Sequence, residues 1–372
     1  MTNPIKTTIT DEQLEQLRAQ VGVVNSSAKK ELADSEIKRS TVRTWAVLNA
    51  DMRPLYMDPD HAQASPWGAI IAPPAIILSY ERINPGVDFL PGAYPILSKA
   101  QLNFDKPIRV GDTVVSESEI TQVEEVTNTG VAGRVISAAI ETRVKDADGQ
   151  PVGTAVQDWH LYERGSDAQR TLFAGRGDDA HMHSQEDIEA LGAEYKTEEQ
   201  RGADSLYWDD VSEGDELQHL LKGPTTRIRA GDRRNSTWYW GHKQGWDEMD
   251  DHPELFFTNE NGMLEPVMAT DWVHHRAQRW GGLPGALENA ADRPNYLVQA
   301  LANWMGDSGF PAEVNLDFPI QSMIGDVTRS YGRVTGKSMS GDQGLVTLEV
   351  WQINQLDQKI TTGTATVVLP TR

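Results

Sequence analysis

The sequence predicts an α+β fold in which an antiparallel sheet wrapped around one helix occurs twice. Two stretches, AQLNFDKPIRVGDTVV (Ala100–Val115) and EVNLDFPIQSMIGDVTRSYGRV (Glu313–Val334), share a Leu-x-Phe step with Gly-Asp seven residues after the Phe. In both halves, segments of alternating apolar and polar residues follow, as in the strands of an antiparallel sheet. One mostly apolar helix candidate precedes each set of strands.

The helix candidates are placed by prolines and by apolar spacing. Pro73 and Pro74 suit a first helical turn, where a fixed φ helps and no N–H is needed, so we expect a helix body over 75–82. In the second half, RPNYLVQALANWMGD spaces its apolar residues as a helix does and ends at Gly306. The two Gly-Asp pairs are expected to be turns that enter strands.

Repetition and composition divide the chain of 372 residues into two domains and a linker. The first repeat is assigned to residues 1–165 and the second to residues 205–372. The linker, residues 166–204, is rich in Gly, Asp, Glu and Ser and has weak apolar periodicity, which is typical of a solvated loop.

Charge and composition limit the classes of partner. A net charge of −21 argues against nucleic acid or an anionic membrane, and no apolar stretch approaches the roughly 20 residues of a membrane helix. The polar N-terminus lacks a signal core and cysteine is absent, so a cytoplasmic protein without disulfides or thiolate-bound zinc is expected. Phosphate-loop, nucleophile-elbow and zinc-spaced motifs are missing, so the sequence predicts no metal site and gives hydride transfer, phosphoryl transfer and serine hydrolysis no support.

The stretch DMRPLYMDPDHAQASPWGAIIAPP, which begins at Asp51, resembles the signature of MaoC-like acyl-thioester hydratases and dehydratases. YWDDVSEGDEL, GLPGALE, ANWMGD and GTATVVLP are similar to the second repeat of fused members of that family. The resemblance spans nearly the whole chain and is weakest in the linker. It implies a double hot-dog fold, with two antiparallel sheets each wrapped round a long central helix and an FAS1-like dehydratase region as the N-terminal repeat.

The resemblance implies a small-molecule substrate, an acyl group held as a thioester of CoA or of an acyl carrier. Water would add across a 2,3-double bond, or would be eliminated from a 3-hydroxyacyl chain. No cofactor is expected, because CoA enters as part of the substrate, and a homo-oligomer is compatible with such a protein.

The catalytic motif of the family is altered in both repeats. Asp51 matches the aspartate of the family, but Tyr56 replaces its histidine, so the first repeat is expected to hold substrate. In the second repeat, Asp271 aligns with the family histidine, and a shifted register would restore His274 or His275 instead. These five residues are the predicted catalytic set. Asp51 could instead cap its turn, and Tyr56 could be a packing aromatic.

Substrate binding is predicted at two places. The N–H groups at the start of the first-repeat helix would hold the thioester oxygen, with Gly68 allowing close approach and Ala72 and Pro73 leading into the helix. Three arginines are candidates for binding the diphosphate of CoA: Arg229, Arg233 and Arg234. The alternative is that they belong to a solvated loop.

The sequence leaves three functions open. The first is a hydratase or dehydratase of an acyl thioester. The second is a related lyase or isomerase on a CoA thioester that uses a changed acid and base set. The third is a double hot-dog that binds an acyl thioester without turnover.

Overall fold

A computed structural model gives the fold of the chain. The residues that it describes are 5–26, 35–81, 83, 89–90, 92–126, 130–173, 182–226, 249–250, 253 and 256–372. Among these residues, no helix combines the length and the apolar character that crossing a bilayer requires.

One antiparallel sheet of eleven strands runs through both repeats. Its long strands in the first repeat are β3 (Tyr94–Phe104), β4 (Thr113–Glu125), β5 (Val135–Asp146) and β6 (Pro151–Tyr162), after the short β1 (Asn25–Ser26) and β2 (Ser35–Glu36). In the second repeat, β7 (Leu220–Lys222) and the separate hairpin of β8 (Phe256–Thr258) and β9 (Leu264–Pro266) precede β10 (Phe310–Asp317), β11 (Thr328–Ser340), β12 (Gln343–Asn354) and β13 (Lys359–Leu369).

The two repeats meet where β3 pairs with β10. The strand order is β1–β4–β5–β6–β3–β10–β13–β12–β11–β7, with β2 also on β4, so the same four-strand order runs outward from this seam in both directions. At the seam, Leu102 lies opposite Val314 and Ala100 opposite Leu316. The double hot-dog prediction is confirmed, with the two predicted sheets joined edge to edge into one.

The repeated Gly-Asp motif is a turn in both copies, as predicted. Gly111 and Gly325 adopt φ of +96° and +99°, a region that glycine enters without steric cost. Each following aspartate accepts the N–H of the residue three positions earlier: Asp112 accepts from Arg109 at 2.7 Å and Asp326 from Met323 at 2.8 Å.

The second repeat has a long helix in its core, Asp292–Met305, called the central helix below. Its first-repeat counterpart differs from the helix expected over 75–82, because it is a 3-10 helix of seven residues, Pro74–Tyr80. Its first bond runs from the Ile76 N–H to the Pro73 carbonyl, the shorter spacing of a 3-10 turn.

The predicted linker is more ordered than a solvated loop. It contains the helices Asp167–Thr171 and Gln185–Tyr195, the second of which begins with a capping box at Ser184. Glu194 accepts two bonds of 2.7 Å from Arg329 of β11, so this helix is attached to the second repeat. The other helical segments are Asp11–Arg18, Arg39–Leu48, Pro54–Met57, Pro59–Ala64, Trp208–Asp210, Val267–Trp272, His274–Arg276 and Ala277–Gly281.

Candidate active site

Two groups of polar side chains lie where one repeat contacts the other. The first junction site consists of Asp51, Arg53, Tyr56, His61, Asn303 and Asp307. The second junction site consists of the Arg164–Asp271 pair and of two residues that follow Asp271 in the chain: His274, which packs on Gly285, and Glu288, three residues after Gly285.

The loop after the helix Arg39–Leu48 is bound directly to the central helix. Asn295 donates to the side-chain oxygen of Asn49 at 2.5 Å, and Gln299 donates to the carbonyl of Ala50 at 3.2 Å. Lys222, at the edge of the second repeat, donates to the same carbonyl at 3.3 Å. These bonds fix the backbone from which the Asp51 side chain projects.

Asp51 is held in a buried ion pair. Arg53 Nε donates to Asp51 Oδ1 at 2.8 Å, Arg53 Nη2 donates to Asn303 Oδ1 at 2.9 Å, and Asp51 and Arg53 are each 4% exposed. Burial opposes the charge of Arg53, but the charge and hydrogen bond of Asp51, together with Tyr56 and Asp307, outweigh it, and the pKa of Arg53 is raised. The Asp51 carboxylate is thus hydrogen-bonded within the protein, and Arg53 connects it to the central helix through Asn303.

Tyr56 lies against the same arginine. Its ring is buried, with the Arg53 guanidinium carbon 5.1 Å from the ring centroid. Burial raises the pKa of Tyr56 more than the charge of Arg53 lowers it. The phenol therefore stays protonated at neutral pH, which favours the alternative reading of Tyr56 as a packing aromatic.

The structure also brings together two residues that the sequence reading did not pair. His61, on the short helix Pro59–Ala64, places Nε2 2.6 Å from Asp307 Oδ2 at the end of the central helix. Trp67 donates its indole N–H to the Asp307 carbonyl at 2.7 Å and packs on Phe310. Because His61 and Asp307 are 246 positions apart in the chain, only the fold reveals that they meet.

The predicted binding segment of the first repeat gives an apolar surface. Gly68 has φ +65° and sits in a turn, but a side chain added there would have only one atom within 4 Å, so close approach is not what requires glycine. The Ala72 N–H is already donated to Ile108 at 2.8 Å, and Pro73 has none. Ala72 and Pro73 instead line a shallow pocket with Ile76, Phe104 and Phe310.

Asp271 is paired in the same manner as Asp51. Arg164, from the first repeat, donates two bonds of 2.6 and 2.8 Å to its two carboxylate oxygens, and its guanidinium lies over Tyr94. Burial opposes the charge of Arg164, and Asp271 outweighs it, so the pKa of Arg164 is raised. Asp271 therefore joins the two repeats.

The two predicted histidines have different surroundings. The His275 side chain is 63% exposed and its Nε2 is 3.2 Å from Glu260, so we drop it from the acid–base set. His274 is half-buried and packs on Gly285, where an added Cβ would lie 2.6 Å from His274 Nδ1. The predicted diphosphate-binding residues Arg229, Arg233 and Arg234 lie outside the described residues.

Glu288 is the acidic group that sequence reasoning missed. It is 7% exposed, and its Oε1 accepts from Thr225 Oγ1 at 3.1 Å and from Tyr296 OH at 2.9 Å. Burial, together with the nearby charge of Asp292, raises the pKa of Glu288 to about 7. The available signal was a lone glutamate in the apolar stretch GLPGALE, just ahead of the predicted helix.

Comparison with known proteins supports the fold and the first repeat. Residues 20–155 match the family described as FAS1-like, dehydratase domain region. A UPF0336 protein of Thermobifida fusca (strain YX) is 28% identical over 130 residues, which are 32% of this chain and 80% of that protein.

Two solved structures resemble the whole chain. A MaoC-like dehydratase is 15% identical with a TM-score of 0.62, over 96% of this chain and 100% of the other. A conserved hypothetical protein of Mycobacterium tuberculosis, Rv0216, has a double hot-dog fold and is 12% identical with a TM-score of 0.57, over 94% of this chain and 96% of the other. The resemblance predicted from the sequence is thereby confirmed in fold.

Proposed function

We propose that this chain, a double hot-dog whose residues 20–155 match the FAS1-like dehydratase region, is a hydratase or dehydratase of acyl thioesters. The match to the dehydratase region is the observation that carries the proposal. Its reaction would join water to the 2,3-double bond of an enoyl thioester, or remove water from a 3-hydroxyacyl thioester. We further propose CoA as the thiol and the cytoplasm as the site of action.

The reaction needs an acid–base group, a partner for the developing enolate oxygen and an apolar slot. The start of the central helix offers little for the second need, because the Asp292 N–H is donated to the Asn289 carbonyl at 3.0 Å and Pro294 has no N–H. The apolar pocket beside Pro73 is lined by Phe310, which follows the C-terminal end of the central helix, so it lies away from the start of that helix. For the acid–base group, the second junction site holds the carboxyl of Glu288 and the imidazole of His274. Within the described residues, neither of them is paired with an arginine.

Two features favour other functions. Both aspartates at motif positions, Asp51 and Asp271, are paired with buried arginines, as expected of a double hot-dog that holds an acyl thioester without turning it over. A related lyase or isomerase is the other alternative, and the replacement of the family histidine by Tyr56 favours it.

Hydration of crotonyl-CoA and of longer enoyl-CoAs tests the proposal, followed as loss of the absorbance of the conjugated double bond. We expect a rate proportional to protein concentration and a 3-hydroxyacyl product, with butyryl-CoA as the matched ligand that cannot be hydrated. Thermal stabilisation by both esters without any loss of absorbance would instead support the binding protein. Consumption with a different product would support the related lyase or isomerase.

A further inference from the structure

Glu288 lies at the second junction site, between the core of its own repeat and the first repeat. Its N–H donates to the Ser322 carbonyl at 3.0 Å, and the preceding residue, Leu287, forms a β-bridge with Met323. Met323 packs in one apolar cluster with Tyr94 and other residues of the first repeat. The segment that carries Glu288 therefore faces the contact between the repeats.

Two polar atoms in this place are buried without a hydrogen bond. Among the described residues, neither Glu288 Oε2 nor Ser322 Oγ has a partner. A buried carboxyl oxygen without a partner costs roughly 1–3 kcal/mol or more, and stable folds seldom keep such an atom unless it has a use. By contrast, Glu288 Oε1 is held by Tyr296 and Thr225. One oxygen is fixed, and the other is available to a ligand.

The imidazole of His274 packs against the segment that carries Glu288. It packs on Gly285, three residues before Glu288, and three residues of extended chain span at most about 10 Å. The central helix begins at Asp292, four residues after Glu288. A carboxyl with one available oxygen and an imidazole thus lie against one short stretch of chain.

We propose that Glu288 is the catalytic acid–base residue of the hydration reaction. This inference rests on the proposed function. As the oxygen of water bonds to C3, the Glu288 carboxylate takes one proton from that water, and the π electrons move towards the thioester oxygen. The same proton then passes from Glu288 to C2 as the enolate collapses. One water is consumed, the carboxylate is restored and no oxidant or reductant is needed.

The charges around Glu288 set the pH at which it can act. Asp292 and Asp326 oppose its ionisation, Arg293 favours it, and the Tyr296 hydroxyl stabilises the carboxylate by a hydrogen bond. Both reaction directions start from the carboxylate, since the reverse reaction begins with removal of the C2 proton. Activity should therefore rise with pH through neutrality and level off above it.

The test is the pH profile of kcat/KM for enoyl-CoA hydration by the full-length protein. Glu288→Gln should lower kcat/KM by 100-fold or more, the usual size of general acid–base catalysis, and abolish the rise near neutral pH. Glu288→Asp should retain part of the rate, since the carboxyl group is kept. Glu349→Gln, the same chemical change at an exposed position, should leave both rate and profile unchanged.

Tyr296→Phe provides a second readout, and it decides the matter if Glu288→Gln does not fold. Loss of the hydrogen bond that lowers the pKa of Glu288 should move the rise in activity to higher pH. If Tyr296→Phe leaves the profile in place, or Glu288→Gln keeps a rate within about threefold of the wild type, the role of Glu288 is refuted while hydratase activity stands. If the wild type hydrates no enoyl-CoA, both proposals fall.

Discussion

Removing either member of the Asp51–Arg53 pair should destabilise the protein strongly. The two side chains are only 6% and 4% exposed, and breaking a buried ion pair by deleting one partner costs about 3–5 kcal/mol. In Asp51→Ala, Arg53 still donates to Asn303, so we expect about 3 kcal/mol. In Arg53→Met, Asp51 loses the guanidinium that holds it, so the loss should lie nearer 5 kcal/mol.

The double variant separates an ion pair from two independent effects. Without either charge, the site has no uncompensated ion, so the double variant should cost at least about 2 kcal/mol less than the sum of the single variants. Urea unfolding gives the three free energies, and unchanged m-values would show that the same surface is exposed. Additive losses would refute the ion-pair interpretation. An Asp51→Ala protein as stable as the wild type, but slowed 100-fold in turnover, would make Asp51 catalytic.

Three further outcomes are expected. Glu288→Gln should stabilise the fold by about 3 kcal/mol at pH 8 and by little near pH 5, as measured by urea unfolding. The folded carboxyl keeps its proton up to about pH 7, whereas the unfolded carboxyl loses it near its ordinary pKa of 4.5, and each pH unit between the two values is worth roughly 1.4 kcal/mol. A stability difference that does not change with pH would contradict this prediction. Asp271→Ala should cost about 3 kcal/mol by leaving Arg164 buried without its counter-charge, and a loss below 1 kcal/mol would mean that solvent replaces the carboxylate. Gly285→Ala should cost roughly 1–3 kcal/mol, since the new Cβ must displace the His274 imidazole, and an unchanged stability would show that the ring moves freely.

The fold could be predicted because its signals are local. Period-two alternation specifies strands, and the Gly-Asp step specifies a turn through a positive φ and one side-chain bond, wherever the rest of the chain lies. The helix predicted over 75–82 was right in its burial and wrong in its type. Its apolar run indicated burial, but an apolar run does not specify whether the hydrogen bonds follow α or 3-10 spacing, and Pro74–Tyr80 is a 3-10 helix.

The candidate site could not be predicted because its partners come from distant parts of the chain. Asp51 and Asp271 were found by their position in a motif, whereas their roles depend on partners that no motif names. Arg164 reaches Asp271 across 107 residues. Glu288 ends the segment GLPGALE but was given no role there, and its raised pKa arises mainly from burial, a property of the folded chain.

The two buried arginine pairs explain why the chemistry should fall to another carboxyl. A general acid–base group must exist in both protonation states near the working pH, and a guanidinium within hydrogen-bond distance holds a carboxylate in its charged state. The carboxylates of Asp51 and Asp271 are hydrogen-bonded to these arginines, and the arginine of each pair also takes part in a contact between the repeats. Glu288 has the opposite surroundings, since burial and a neighbouring carboxylate favour its proton. Because the first repeat supplies Arg164 to the second and the central helix supplies Asn303 to the first, neither repeat alone would hold its junction site together.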